Sequence, residues 1–251
     1  MIGWPPPRVR PLPSSSMPNS IRILIVVLTA IFLLSATAMV VLGRRVHAVA
    51  AGASGAGISG RAEASLDPSK PVPGMEVLRI PSFSLKTQDG LEITQEVFKG
   101  RVTVVDFMFT QCPFVCPTLT QKMRDVSRRL QGTGVRFLSV SVDPEHDTPA
   151  VLKAYAERAD ADLRRWNFAT GPKDKIYSIV KDGLKFALYE QTDKPIKLES
   201  GQTMSNIVHP PWFVLVGPEG QVLGIYSVTS APEAVEQLAA RAKAVDGAIK
   251  R

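Results

Sequence analysis

Cysteine is almost missing from this sequence. Two occur in 251 residues, and histidine occurs three times. Thiol chemistry therefore rests on one pair, Cys112 and Cys116, and an imidazole partner must come from His47, His146 or His209. Also missing are a basic run and any interleaving of basic with aromatic residues. The formal charge of +7 comes from 30 Lys and Arg scattered among 23 Asp and Glu. That pattern excludes nucleic acid as a partner and describes a solvated surface, suited also to acidic lipid headgroups or an acidic partner patch. No internal repeat is present.

One segment lacks charge altogether. From Ile23 to Leu42 the chain reads ILIVVLTAIFLLSATAMVVL. At about 1.5 Å per residue this spans roughly 30 Å, the hydrocarbon thickness of a bilayer. A buried core helix of that length would carry a polar face, so a transmembrane helix is expected over 21–43. A cleaved signal peptide has a shorter apolar region, roughly 7–15 residues, before a small-x-small site. Ala48-Val49-Ala50 resembles such a site, but the run is too long and Arg44, Arg45 and His47 intervene. The expectation is an uncleaved anchor. Arg8, Arg10 and Arg22 precede it, which favours an N-terminus inside and a C-terminal domain outside. Residues 1–20, rich in proline and serine, read as disordered, and 44–74, with AVAAGASGAGISG and LDPSKPVPG, as a flexible linker. Residues 75–251 are one ordinary domain's worth of chain.

Within that domain, strand and helix patterns alternate. Ile80–Leu85 and Leu91–Ile93 flank the turn signal Gln88-Asp89-Gly90. Val102–Thr110 (VTVVDFMFT) reads as a buried strand. In Cys116–Leu130, Cys116, Leu119, Met123, Val126 and Leu130 fall on one helical face that ends at Gly132. Val135–Val142 is a second buried strand. Thr148 caps a helix with Pro149 at its first position. Lys173–Lys181 looks helical, Glu190–Ser205 reads as a polar loop, Pro211–Val216 and Gln221–Ser227 form a hairpin, and Pro232–Ile249 closes the chain as an amphipathic helix. The prediction is an α/β domain with a central mixed sheet flanked by helices. Its ligand site is expected at the carboxyl ends of the parallel strands, where both cysteines lie.

Phe109–Pro117 reads FTQCPFVCP. A helix N-terminus offers unpaired N–H groups and partial positive charge, both of which favour the thiolate that attacks disulfides and binds metal. Three roles stand open: redox pair, structural disulfide, or two ligands of a soft metal, Cu(I) above all. A disulfide closing so short a loop would restrict the unfolded chain little. For a third ligand, His47 lies beside the anchor and is set aside. His146, on the loop after the second buried strand, and His209, just before an apolar strand, both remain, with a slight preference for His209. Met108, Met123 and Met204 are soft atoms too, and of these only Met204 is a ligand candidate.

FTQCPFVCP after VTVVDFMF resembles the copper-site segment of the Sco/SenC family, two cysteines three residues apart, each followed by proline. Val142-Asp143-Pro144-Glu145-His146-Asp147-Thr148-Pro149 is similar to the family's strand-end element, and Val208-His209 before WFVLVGPEG to the segment with its distant histidine. Trp166 followed by Phe168-Ala169-Thr170-Gly171 also fits. The resemblance covers about 75–245, and an N-terminal anchor belongs to the pattern. It implies a thioredoxin-like fold that binds one copper ion, Cu+ or Cu2+, through Cys112, Cys116 and His209. The implied role is a chaperone, not an enzyme: delivery of copper to the copper-A site of cytochrome c oxidase or another cuproprotein, or upkeep of its thiols. The implied location is a bacterial-type inner membrane, single-pass, with the domain in the periplasm or the equivalent mitochondrial intermembrane space. Pro210 and Pro211 depart from the family's pattern after the histidine, and one of them is expected to be the cis-proline that faces the cysteines in such folds. Asp143 and Asp147 are candidates for partner recognition or for capping the next helix. The rival reading is a thiol-disulfide oxidoreductase in which Cys112 attacks and Cys116 resolves. A thioredoxin-fold peroxidase has no specific support from the cysteine spacing.

Overall fold

The computed structural model describes residues 67–197, 201 and 203–250. The expected disordered segment, the expected transmembrane helix and most of the linker lie outside these residues. Among the described residues, no helix is long and apolar enough to cross a membrane.

Chain order begins with β1 (Ser84–Thr87) and β2 (Glu92–Thr94), joined by a turn in which Gly90 takes φ 76°. That left-handed backbone is open to glycine at little cost. A 3₁₀ turn, Gln95–Phe98, leads to β3 (Thr103–Met108), all six residues of which are buried. Then come α1 (Cys116–Arg129), β4 (Arg136–Ser141), α2 (Pro149–Arg158) and β5 (Trp166–Thr170). A short helix α3 (Lys173–Tyr177) runs on as a π-helical turn, Ser178–Gly183. Strands β6 (Tyr189–Lys197), β7 (Thr203–Val208), β8 (Phe213–Val216) and β9 (Val222–Tyr226) precede α4 (Ala234–Ile249).

Seven strands form one mixed sheet in the order β2-β1-β5-β4-β3-β8-β9. β3, β4 and β5 are parallel neighbours, and β8 runs antiparallel to β3. Strands covered on both faces carry continuous apolar runs, as β8 does, and β3 departs from this only at Thr103 and Asp106. Helix α1 buries Leu119, Met123 and Val126, packs against α4, and touches α2 where Thr120 Oγ1 meets the Tyr155 hydroxyl at 2.7 Å. Thr148 caps α2 by accepting from Val151 N, ahead of Pro149 in the first turn, as expected.

Two expectations are corrected. The segment read as a polar loop, Glu190–Ser205, is largely a two-stranded hairpin, β6 with β7. Its charged surface conceals Ile196, Met204 and Ile207, which are buried, and Pro195 falls where the ladder register shifts, the one place a strand interior tolerates proline. Among the described residues there is no cis peptide bond, so Pro210 and Pro211 are both trans.

Candidate metal centre

Strand geometry assembles the site. β3 ends at Met108 and the cysteine loop follows from its carboxyl end. Because β8 pairs antiparallel with β3, Val214 opposite Val105 and Val216 opposite Thr103, the residues just before Phe213 return to that same edge. His209 is among them. β4 pairs in parallel with β3, Ser141 opposite Met108, so the Asp143–Thr148 loop also reaches this edge. Hydrogen bonding alone thus gathers three segments far apart in sequence.

Cys112 and Cys116 are both free thiols, 7% and 1% exposed. The Cys116 Sγ lies 3.6 Å from His209 Nε2. The Phe109 ring meets the imidazole edge-on, with centroids 5.6 Å apart, and fixes its tilt. The Nδ1 atom of His209 is buried without a hydrogen-bond partner. Cys112 is held well below the usual thiol range, first by a hydrogen bond from Cys116, then by His209 and by backbone N–H groups of Cys116 and Phe114. Cys116 is pushed far up, first because it keeps the shared proton for Cys112, then by burial and by the adjacent thiolate. The pair therefore ionises in one order, with Cys112 as thiolate and Cys116 as its donor.

The donor set is two sulfurs and one imidazole nitrogen, with Cys116 Sγ and His209 Nε2 in contact, a soft set in a water-poor setting. Among the described residues, no group of three Cys, His, Asp or Glu stands ready-set at metal-ligand spacing. Seating an ion would require loss of the Cys116 proton and approach of the three donors to metal-ligand distance.

His146 is elsewhere engaged. Its Nδ1 lies 2.9 Å from both carboxylate oxygens of Asp143, which raise its pKa, and it bonds to neither thiol. His47 is outside the described residues. Met108, Met123 and Met204 are buried core residues.

Asp147 is fully buried, which leaves it no surface for recognising a partner. Its carboxylate accepts from Thr110 N at 3.0 Å, from Thr110 Oγ1 and from Ser141 Oγ. It is the brace that ties the cysteine loop to the end of β4. Nor is it the α2 cap, a part taken by Thr148. Asp143 is 7% exposed and pairs with His146 at the rim.

One site residue went unnoticed in the sequence. Asp106, in the middle of β3, is 0% exposed, and neither of its oxygens has a hydrogen bond. Burial raises its carboxyl to about 6, an effect partly offset by the nearby Ser139 hydroxyl and the His209 ring. Its charge in turn raises Cys116 further. The signal was a lone acid inside VTVVDFMFT, since an ionisable group in an apolar strand is seldom placed for packing.

The sequence pattern of the family described as SCO1/SenC matches residues 76–244. A SCO1 protein homolog of Bacillus subtilis is 35% identical over 147 residues, 58% of this chain and 72% of that protein. The chain spans about half the length of the fungal relatives it also matches. A structure of BsSco, described as a member of the Sco family of cytochrome c oxidase assembly proteins with a disulfide switch, superposes with TM-score 0.53 at 29% identity, covering 68% of this chain and 97% of that one. Yeast Sco1 with copper bound superposes with TM-score 0.53 at 25% identity, covering 64% and 86%. The mixed sheet flanked by helices is thus the thioredoxin-like arrangement of Sco structures, and with the matched region spanning both cysteines and the distant histidine, the chain belongs to the SCO1/SenC family.

Proposed function

We propose that this chain is a membrane-anchored copper chaperone that binds one copper ion through Cys112, Cys116 and His209. It passes the metal to the copper-A site of cytochrome c oxidase or to another cuproprotein. The observation that carries the reading is the meeting of His209 Nε2 with Cys116 Sγ beside a Cys112 already held as thiolate. Soft sulfur donors select Cu(I), and copper bound to the relative Sco1 of yeast supports the same cargo here. Transfer then proceeds by ligand exchange, a partner's thiol or imidazole replacing this chain's donors one at a time. The anchor at 21–43 would hold the domain on the outer side of the membrane, within reach of a membrane-bound client.

The test is a Cu(I) titration of the reduced chain against His209→Ala. One tightly bound copper is expected in the parent and a loss of at least tenfold in affinity in the variant. Equal stoichiometry and affinity would refute the site.

A second reading has its own support in the asymmetry of the thiols. The Cys112 thiolate attacks one sulfur of a client disulfide and displaces the other as a thiolate. Cys116 then gives its proton to the displaced client thiolate and attacks Cys112, which releases the second client sulfur as a thiolate that takes a proton from water. Two electrons pass to the client and a Cys112–Cys116 disulfide remains. Oxidase assembly that persists in a His209→Ala variant unable to bind copper would favour this role.

A further inference from the structure

Beside the cysteine loop lies a cavity of about 530 Å³ that the metal site does not use. Thr110 and Pro117, which bracket the cysteine loop, form one end of it. Along α1 and α2 it is lined by Gln121, Arg124, Tyr155 and Arg158, with no acidic residue in the lining. Several surface basic groups of the domain have carboxylate partners, such as Arg128 with Asp160, Lys153 with Asp89, and Arg164 with Asp162. Among the described residues, Arg124 and Arg158 pair with no carboxylate. Arg124 Nε is buried without a hydrogen bond, and the Arg158 guanidinium sits 6.0 Å above the Tyr155 ring, which orients it without neutralising it. On the cysteine loop itself Phe114 is 68% exposed, a large apolar side chain between the two thiols.

From these features we infer that the cleft is a docking site for an acidic segment of the protein that exchanges metal or electrons with Cys112. The inference rests on the reading that the cysteines serve a protein client. Two guanidinium groups flanking a polar floor are suited to carboxylates, which arginine binds in a planar, two-point fashion. A client that brings its own sulfur or imidazole to Cys112 must cover Phe114 and the Thr110–Pro117 end of the cleft. Its flanking residues then fall along α1. Charge placed there speeds encounter and fixes orientation, while the exposed phenyl ring supplies apolar contact.

The test uses the full chain in detergent micelles and two fluorescein-labelled, cysteine-free peptides. One carries four Glu around a central Phe, and its twin carries Gln in their place. Fluorescence anisotropy at low salt should show the acidic peptide binding on the order of tenfold more tightly, the combined effect of two arginine–carboxylate pairs. Arg124→Gln with Arg158→Gln should reduce that preference to less than twofold, and 0.3 M salt should weaken it in the parent. Arg164→Gln with Lys243→Gln, the same charge removed elsewhere, should leave it intact. If the double cleft variant does not fold, each single substitution carries the same test with a partial loss. An undiminished preference in the cleft variants, or an equal loss in the control, overturns the proposal. Peptide binding needs no copper and no thiol reaction, so a negative copper titration would refute the chaperone reading while leaving this result to stand or fall separately.

Discussion

Asp106 is the group whose energetic role can be put in numbers. It sits with no exposure and no hydrogen bond in the middle of β3, and its carboxyl is raised from 3.8 to about 6. At about 1.4 kcal/mol per tenfold change in proton affinity, ionising it costs the folded state about 3 kcal/mol. Below about pH 4 the cost nearly vanishes, because folded and unfolded chains both hold the proton. It grows as pH passes 3.8, where the unfolded carboxyl ionises alone, and is complete above about 6. Asp106→Asn removes the charge and keeps the shape. A buried amide carries its own cost of about 1–3 kcal/mol, but that cost does not change with pH. The stability difference between variant and parent should therefore shift by about 2–3 kcal/mol in the variant's favour between pH 4 and pH 7. Urea unfolding of a fragment beginning at Asp67, with thiols reduced and metal chelated, measures it. In thermal melts the same shift is roughly 5–10 °C. A difference that stays constant across this pH range to within about 0.5 kcal/mol would refute the assignment of Asp106 as a strained buried charge.

Cys112 is already a thiolate at neutral pH while Cys116 keeps its proton, so Cu(I) binding at pH 7 should release about one proton per metal. Two protons by calorimetry in buffers of different ionisation enthalpy would contradict the ordering of the pair. Ultraviolet absorbance of thiolate should already register one thiolate per chain at pH 6, where an ordinary thiol is well under 1% ionised. Its absence would show that the hydrogen bond from Cys116 is not made. Asp147→Ala leaves Thr110 N and two hydroxyls without their acceptor and should cost about 2–4 kcal/mol in urea unfolding. A loss below about 0.5 kcal/mol would mean the brace carries no load. A reporter fused after Arg251 should be active only outside the cytoplasm, and cytoplasmic activity would overturn the orientation drawn from Arg8, Arg10 and Arg22.

The strand–helix alternation was legible because burial imposes periodicity. Val102–Thr110 and Val135–Val142 are mostly apolar because β3 and β4 are buried along nearly their whole length. Thr148 and Pro149 marked a helix start through local hydrogen bonding alone. The hairpin of β6 and β7 was not legible, since its inner residues are few and its outer ones charged. In the site, FTQCPFVCP declared itself through residue type and spacing. From the residues alone, His209 and His146 were nearly equal candidates for a partner. Only the antiparallel register of β8 on β3 sets one imidazole against Cys116, while Asp143 occupies the other. What the amino-acid order determined by itself was the chemistry on offer, two thiols, three imidazoles and the buried strands that carry them. Which thiol holds the proton, which histidine meets it, and that Asp106 and Asp147 are buried beneath them were decided by tertiary structure. The reason is that long-range strand pairing sets distance and burial, and these two quantities fix proton affinity and contact.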